Sequence, residues 1–393
     1  ELVNEPHTPN EDDPEASFHT YYKEWLNSKR LDNTSENFQL WRKEYTLNYI
    51  DQMCDFFHGI GCQAPVAWSH KWSMAIRHNG GDAEWLASLE SAVPAVCFAT
   101  YPTQGTVYNY VRDAQKDLRK LGSEHNALPY LQRSYDEREL QGWANEPAFR
   151  NKAHYVYEWE THANMTSYMY PAMAKYFRAQ GAQIATMWTY ILPKLANRIA
   201  AQHFLNLKST PGKSAAFIAA GEVFRNTPLY EPFTTTGHDE DYSKNAAVDF
   251  KELSSAYADD TMLIYSSDMP PRYVEHLLTP KSIEGKFDRI VGVGNSPFVQ
   301  YSGTGLYFIE FEPSGRTLIE IMPDVEWLRS AVTGGKMLDL DGQVPLDDDP
   351  PYSSPQEYYA IARKYRKQLS NRYRSDVAHT ISITASNLPT RPK

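Results

Sequence analysis

Apolar and aromatic side chains recur along this chain in two rhythms. From Ser35 to Gly59, Phe38, Trp41, Tyr45, Tyr49, Ile50, Met53 and Phe57 fall three and four apart, which predicts a long amphipathic helix. Four short β-branched and aromatic runs, Ala64–Trp72, Ala95–Pro102, Ala153–Thr161 and Ala182–Tyr190, read instead as buried strands. Their C-terminal ends turn polar, aromatic or acidic. Helical stretches separate them: Asp82–Ser91, Tyr108–Leu121, and Asn164–Gln180, which sets Tyr168, Met169, Ala172, Met173, Tyr176 and Phe177 on one face. Gly181 stops that last helix. The stretch 122–150 has little periodicity and is expected to be a long loop. After the fourth strand, Thr210-Pro211-Gly212-Lys213 opens a helix that runs through Arg225, with proline in its first turn.

The pattern changes after Thr227–Tyr242, a segment rich in Pro, Thr and Gly that reads as a domain boundary. From about Ala246 there are short strands with turn signals between them: Met262–Tyr265, Arg289–Val293, Phe298–Tyr301, Leu306–Phe311 and Thr317–Ile321. This spacing predicts an antiparallel β-sandwich. Gly292-Val293-Gly294 and Gly303-Thr304-Gly305 lack the third glycine and the following helix of a dinucleotide site, so they read as turns or bulges. Ser354-Pro355-Gln356-Glu357 is a capping box opening a helix to about Tyr373. Residues 1–228 therefore form one expected domain, and residues 229–393 a β-sandwich with a C-terminal helix.

The 393 residues are 41% hydrophobic and 22% charged, the balance of a globular protein with a large core. A net charge of −10 argues against nucleic acid or an anionic membrane as partner. No apolar run approaches the ~18 residues that a membrane span needs. The N-terminus does not read as a signal peptide, and a secreted or periplasmic location requires one that was removed or lay upstream. Cys54, Cys62 and Cys97 make neither a disulfide framework nor a metal-ligand spacing; three buried thiols are expected, with a Cys54–Cys62 pair possible only where geometry allows. Asn33-Thr34-Ser35 and Asn164-Met165-Thr166 match the N-glycosylation triplet. The 27 tyrosines and 9 tryptophans fit either sugar stacking or an aromatic core.

The candidate chemistry sits at the strand ends. In order these are Asn4-Glu5-Pro6-His7, then Trp68, His70 and Trp72, then Tyr101, then Glu158, Trp159, Glu160 and His162, and finally Trp188 and Tyr190. The C-terminal ends of parallel strands are where the chemistry of a (β/α) barrel lies. The series resembles the second half of a (β/α)8 barrel, from the end of strand four to helix eight, in the retaining glycoside hydrolases of clan A. Asn4-Glu5-Pro6 matches the family's Asn-Glu signature at strand four, and Tyr157-Glu158-Trp159 resembles the strand-seven signature. Tyr101 resembles the tyrosine that hydrogen-bonds the nucleophile, and Trp188 the tryptophan that floors the sugar site. The resemblance covers residues 1–225.

The resemblance implies Glu5 as acid/base and Glu158 as nucleophile, with Glu160 the less favoured nucleophile on the same strand face. Asn4 would hold the sugar 2-hydroxyl. His7, His70 and His162 would meet hydroxyls, and Trp68, Trp72, Trp159, Trp188 and Tyr190 would offer ring faces. Retention of configuration requires the two carboxyls about 5–5.5 Å apart, and the reaction calls for no metal or organic cofactor. The expected substrate is a β-linked poly- or oligosaccharide. Barrel strands one to four are expected from a separate chain or an upstream segment, because half a barrel leaves parallel edges unpaired. Two other readings stay open: a non-catalytic glycan-binding or scaffold protein on a degenerate barrel, and an unrelated barrel enzyme such as a lyase.

Overall fold

The computed structural model describes residues 18–70, 82–101, 126–138, 140–161, 164–190, 205–208, 210–237, 239–243, 245–278, 287–324, 332–333, 336–337 and 381–383. Helix α1 (Phe18–Lys29) lays Phe18, Tyr22 and Leu26 against Phe38 and Trp41 of α2 (Ser35–Gly59). The Thr34 side chain caps α2 by accepting from the Asn37 amide. The second half of α2 rolls its buried face, Ile50 and Cys54, onto Val66, Trp68 and Val93. Four strands follow, β1 (Ala67–His70), β2 (Ala95–Thr100), β3 (Ala153–Trp159) and β4 (Ala182–Met187), with α3 (Asp82–Glu90) between the first two. They pair in chain order and all in parallel, as strand–helix–strand units require. Among the described residues, β1 and β4 each have a strand partner on one side only.

One expectation for this half needs correction. In the stretch 122–150, the described residues from 126 onward are not a long loop. They contain α4 (Leu128–Asp136) and two single 3-10 turns at Gly142–Asn145 and Pro147–Phe149. Leu128, Leu131, Trp143 and Phe149 are all buried there. The expected Tyr108–Leu121 helix lies outside the described residues. The face foreseen on Asn164–Gln180 is realised: after a 3-10 turn at Asn164–Met169, α5 (Tyr170–Ala179) buries Tyr176 and Phe177 completely. Gly181 then takes φ +81, the left-handed conformation that closes a helix at least cost.

Helix α6 (Pro211–Asn226) leads into the second sheet, built from β5 (Glu240–Tyr242), β6 (Ala246–Asp249), β7 (Ser254–Ala258), β8 (Met262–Tyr265), β9 (Arg289–Gly292), β11 (Tyr307–Phe311) and β12 (Thr317–Ile321) in the order β12-β11-β9-β8-β7-β6-β5. The sheet is mixed, which corrects the purely antiparallel expectation: β8 and β9 run parallel. The short helix α7 (Pro271–Leu277) lies in their crossover. Among the described residues no second sheet of comparable size packs on the mixed one. One face packs Val248, Tyr257, Ile264 and Val291 against α5 and α6, and the other carries α7 and the Val299–Tyr301 strand, β10, which pairs with Ile381–Ile383. The expected helix at 354–373 lies outside the described residues. The boundary foreseen at 228/229 falls at a turn over residues 229–230, yet one hydrophobic cluster runs across it, from Val96, Phe98 and Val156 through α5 and α6 to Tyr257 and Val291. The layers are thus parallel sheet, helices, mixed sheet.

Candidate active site at the strand ends

The two faces of the parallel sheet are chemically distinct. Val96, Phe98, Val156, Trp159, Ala182 and Met187 look into the helix layer. Ala67, Ala95, Cys97, Ala153, Tyr155 and Tyr157 gather on the opposite face. Strict alternation would put Glu158 with Val156, in the helix layer. It does not go there, because β3 carries one extra residue. Against β2, Phe98 pairs with Val156 but the next residue, Ala99, pairs with Glu158. Against β4, the interval Ala185–Met187 spans Val156–Trp159. A bulge of this kind re-aims a side chain: Glu158 joins Ala99 on the inner face, and Trp159 turns into the helices.

Tyr101 leaves the end of β2 and hydrogen-bonds Glu158. Both side chains are half-buried. Burial first, then the Glu158 charge and hydrogen bond, push the Tyr101 hydroxyl far above its ordinary pKa, so it remains a neutral donor. Its platform is rigid, since Gln141 donates to the Ala99 carbonyl at 2.8 Å and accepts from Thr100 at 3.1 Å and from Tyr176 at 2.5 Å. At the end of β4, Trp188 is 46% exposed while its amide donates to the Trp159 carbonyl at 3.1 Å. Tyr190, 47% exposed, bridges in parallel to Leu205. The arrangement is a carboxylate held by a neutral phenol, next to an open indole face.

Glu160 has a different fate. It is completely buried, just past the strand end. One carboxylate oxygen accepts from the Thr161 amide at 2.6 Å, the Thr161 hydroxyl at 3.2 Å and the Tyr170 hydroxyl, and lies 3.6 Å from the Lys213 ammonium. Burial raises its pKa, opposed by Lys213, Tyr170 and Thr161. The expectation that Glu160 shares a face with Glu158 and meets substrate is therefore corrected.

Three further sugar contacts foreseen from the sequence are also corrected, for one reason: their side chains face the protein interior. Trp159 is packed between Tyr170, Phe177 and Phe217, with ring centroids 5.0, 5.5 and 5.9 Å away. Trp68 donates its indole N–H to the buried Glu84 at 3.2 Å. His70 sits 3.1 Å from the Ser88 hydroxyl and against Trp143; burial and then His154 lower its pKa to about 3. The histidine's 3.7 Å separation from Glu84 is too long for a hydrogen bond, so desolvation governs its charge. Asn4, Glu5, His7, Trp72 and His162 lie outside the described residues.

Sequence reading missed Tyr157, a half-buried phenol on the inner face beside Glu158, and Ser69, a buried hydroxyl without a hydrogen-bond partner in register with inner-face Cys97. It also missed Lys213, which looks like any solvated lysine at a helix start. Alternation makes Glu158 and Glu160 alike; what separates them is that β3 ends at Trp159, after which Glu160 turns to Tyr170 and Lys213.

The described residues contain no group of three or more His, Cys, Asp or Glu placed to hold a metal ion. Cys54, Cys62 and Cys97 are not joined in disulfides. Among the described residues no helix is long and apolar enough to cross a membrane. No protein-family model matches the chain, and neither does any curated protein. Among solved structures it is similar to the endo-1,4-beta-mannanase from Rhizomucor miehei, at 13% identity and a TM-score of 0.31, over 57% of this chain and 52% of that one. The chain thus spans about half the length of that enzyme, and a likeness this slight carries no argument.

Proposed function

We propose that this chain carries the nucleophile of a retaining glycoside hydrolase acting on a β-linked poly- or oligosaccharide, with Glu158 attacking the anomeric carbon. The observation that supports it is the Tyr101–Glu158 pair at adjacent parallel strand ends. A nucleophilic carboxylate must stay ionised and be held in one orientation through the displacement. A phenol that cannot itself ionise near neutral pH does both by donating to the charged form. Trp188, exposed at the next strand end, offers an apolar face to a sugar ring. The burial of Glu160 and its partners favour Glu158 over it as nucleophile. Glu5, at the Asn-Glu-Pro signature, is the acid/base in this reading. The pairing of β1 and β4 on one side only among the described residues, and the 57% exposure of Ile184 on the inner edge, fit a barrel completed by further strands.

The deciding experiment replaces Glu158 by Gln and, separately, Glu160 by Gln. Glu158→Gln abolishes hydrolysis of β-linked glycans, with the circular dichroism spectrum of the parent. Near-normal turnover by Glu158→Gln rejects the assignment.

A further inference from the structure

The residues after the bulge are anchored more heavily than a strand end requires. The Trp159 ring fills the space between α5 and α6, at right angles to Tyr170 and stacked on Phe217. Glu160 reaches the same two helices through Tyr170 of α5 and Lys213 of α6. Lys213 is 2% exposed and lies in the first turn of α6. Both the loss of water and the helix dipole, positive at that end, oppose an ammonium there. Water screens a surface lysine at such a position but not a buried one, so this placement calls for a compensating anion, and Glu160 supplies it.

The position of this pair matters because of register. A slip of one residue sends every side chain of a strand to the other face. If β3 lost its bulge, Glu158 would enter the helix layer and Trp159 would face the cleft. The Glu160 amide donates to the Thr100 carbonyl at 3.3 Å, which ties the same point to β2. Lys213, Tyr170 and Thr100 thus hold residue 160 from three elements.

We propose that Lys213, acting through Glu160, is a positioning residue that locks the β3 bulge and so fixes the aim of Glu158 at Tyr101. The proposal rests on the reading of Glu158 as nucleophile for its kinetic consequence, but not for its structural one. The test uses Lys213→Met, Lys213→Arg and Tyr170→Phe in the full chain. One readout is the side-chain carboxyl resonance of Glu158 in 13C-glutamate-labelled protein, identified by its loss in Glu158→Gln. The other is steady-state hydrolysis of a β-linked glycan.

Lys213→Met is expected to shift the titration of the Glu158 resonance and to lower kcat on the order of tenfold or more with little change in KM, the mark of misaimed rather than unbound substrate. Lys213→Arg restores most of kcat, and Tyr170→Phe, which leaves the charge pair, gives a smaller shift. A folded Lys213→Met protein whose Glu158 titration is unmoved overturns the proposal. Where Lys213→Met does not fold, an unmoved resonance in Tyr170→Phe overturns it equally. A moved resonance together with full hydrolysis by Glu158→Gln upholds the positioning and rejects the nucleophile.

Discussion

Replacing Tyr101 by Phe removes one oxygen from the site and leaves the ring. That oxygen is hydrogen-bonded to the Glu158 carboxylate. A hydrogen bond to a charged group contributes about 1.5–3 kcal/mol, and one unit of pKa corresponds to about 1.36 kcal/mol. The donor favours the ionised form of its acceptor, so its removal raises the carboxyl's affinity for a proton. The acid limb of the kcat/KM profile should therefore move up by about one to two pH units. The alkaline limb should stay in place, because burial and Glu158 already hold the Tyr101 hydroxyl far above its ordinary range. On the plateau kcat should also fall, since a carboxylate without its donor is less well aimed. The assay is a pH–rate series on a chromogenic β-linked oligosaccharide, with thermal melts to confirm the fold. An acid limb where the parent has it, in a variant that melts normally, refutes the claim that Tyr101 controls Glu158.

Two further outcomes follow from the scaffold. Gly181→Ala places a methyl 2.3 Å from the Tyr230 ring at φ +81; a left-handed alanine alone costs about 1–2 kcal/mol. Urea unfolding should show a loss of roughly 2 kcal/mol or more, reduced to the backbone part in a Tyr230→Ala background, and a change within about 0.5 kcal/mol contradicts this geometry. His70 and His154 are both buried with lowered pKa values, His70 to about 3 by burial and His154. The unfolded chain thus binds protons below about pH 6.5 that the native state refuses. Denaturation midpoints should fall as pH drops from about 6.5 toward 4, and less steeply in His70→Gln; a parent whose stability rises on acidification shows that His70 is charged in the fold.

What was legible in the sequence was what periodicity encodes. The face Tyr168, Met169, Ala172, Met173, Tyr176 and Phe177 is buried as its spacing demands, and the four parallel strands lie where the apolar runs lie. Short elements escaped. The nine residues of α4 and the seven of α7 are too brief for a 3.6-residue repeat to rise above noise. Missing α7 turned a crossover into an apparent hairpin series, and so a mixed sheet into an antiparallel sandwich. At the candidate site, Trp68, Trp159 and Trp188 are equal candidates by composition. Only Trp188 stays open, because a ring's fate depends on which face of the sheet it occupies, and in β3 that is decided by one unpaired residue. The acid/base expected at Glu5 lies outside the described residues.

The mixed sheet bears on the anchor of Glu160 through α6. Ala215, Ala216, Ala219, Ala220 and Val223 of α6 share one core with Tyr257, Ile264 and Val291 of that sheet. Asn226 at the end of the helix donates to the Tyr257 hydroxyl at 3.0 Å. At the start of the helix, a Cβ on Gly212 would lie 3.0 Å from the Ser266 carbonyl oxygen, so α6 touches the sheet one residue before Lys213. Lys175 of α5 also reaches across, to the buried Asp241 at 3.0 Å. A close-packed interior transmits displacement rather than absorbing it. The helix that holds Glu160 is therefore seated by the second sheet, and Glu160 in turn seats the bulge that aims Glu158. Substitutions such as Gly212→Val, far from any substrate, should act on kcat before they act on the fold of the parallel sheet.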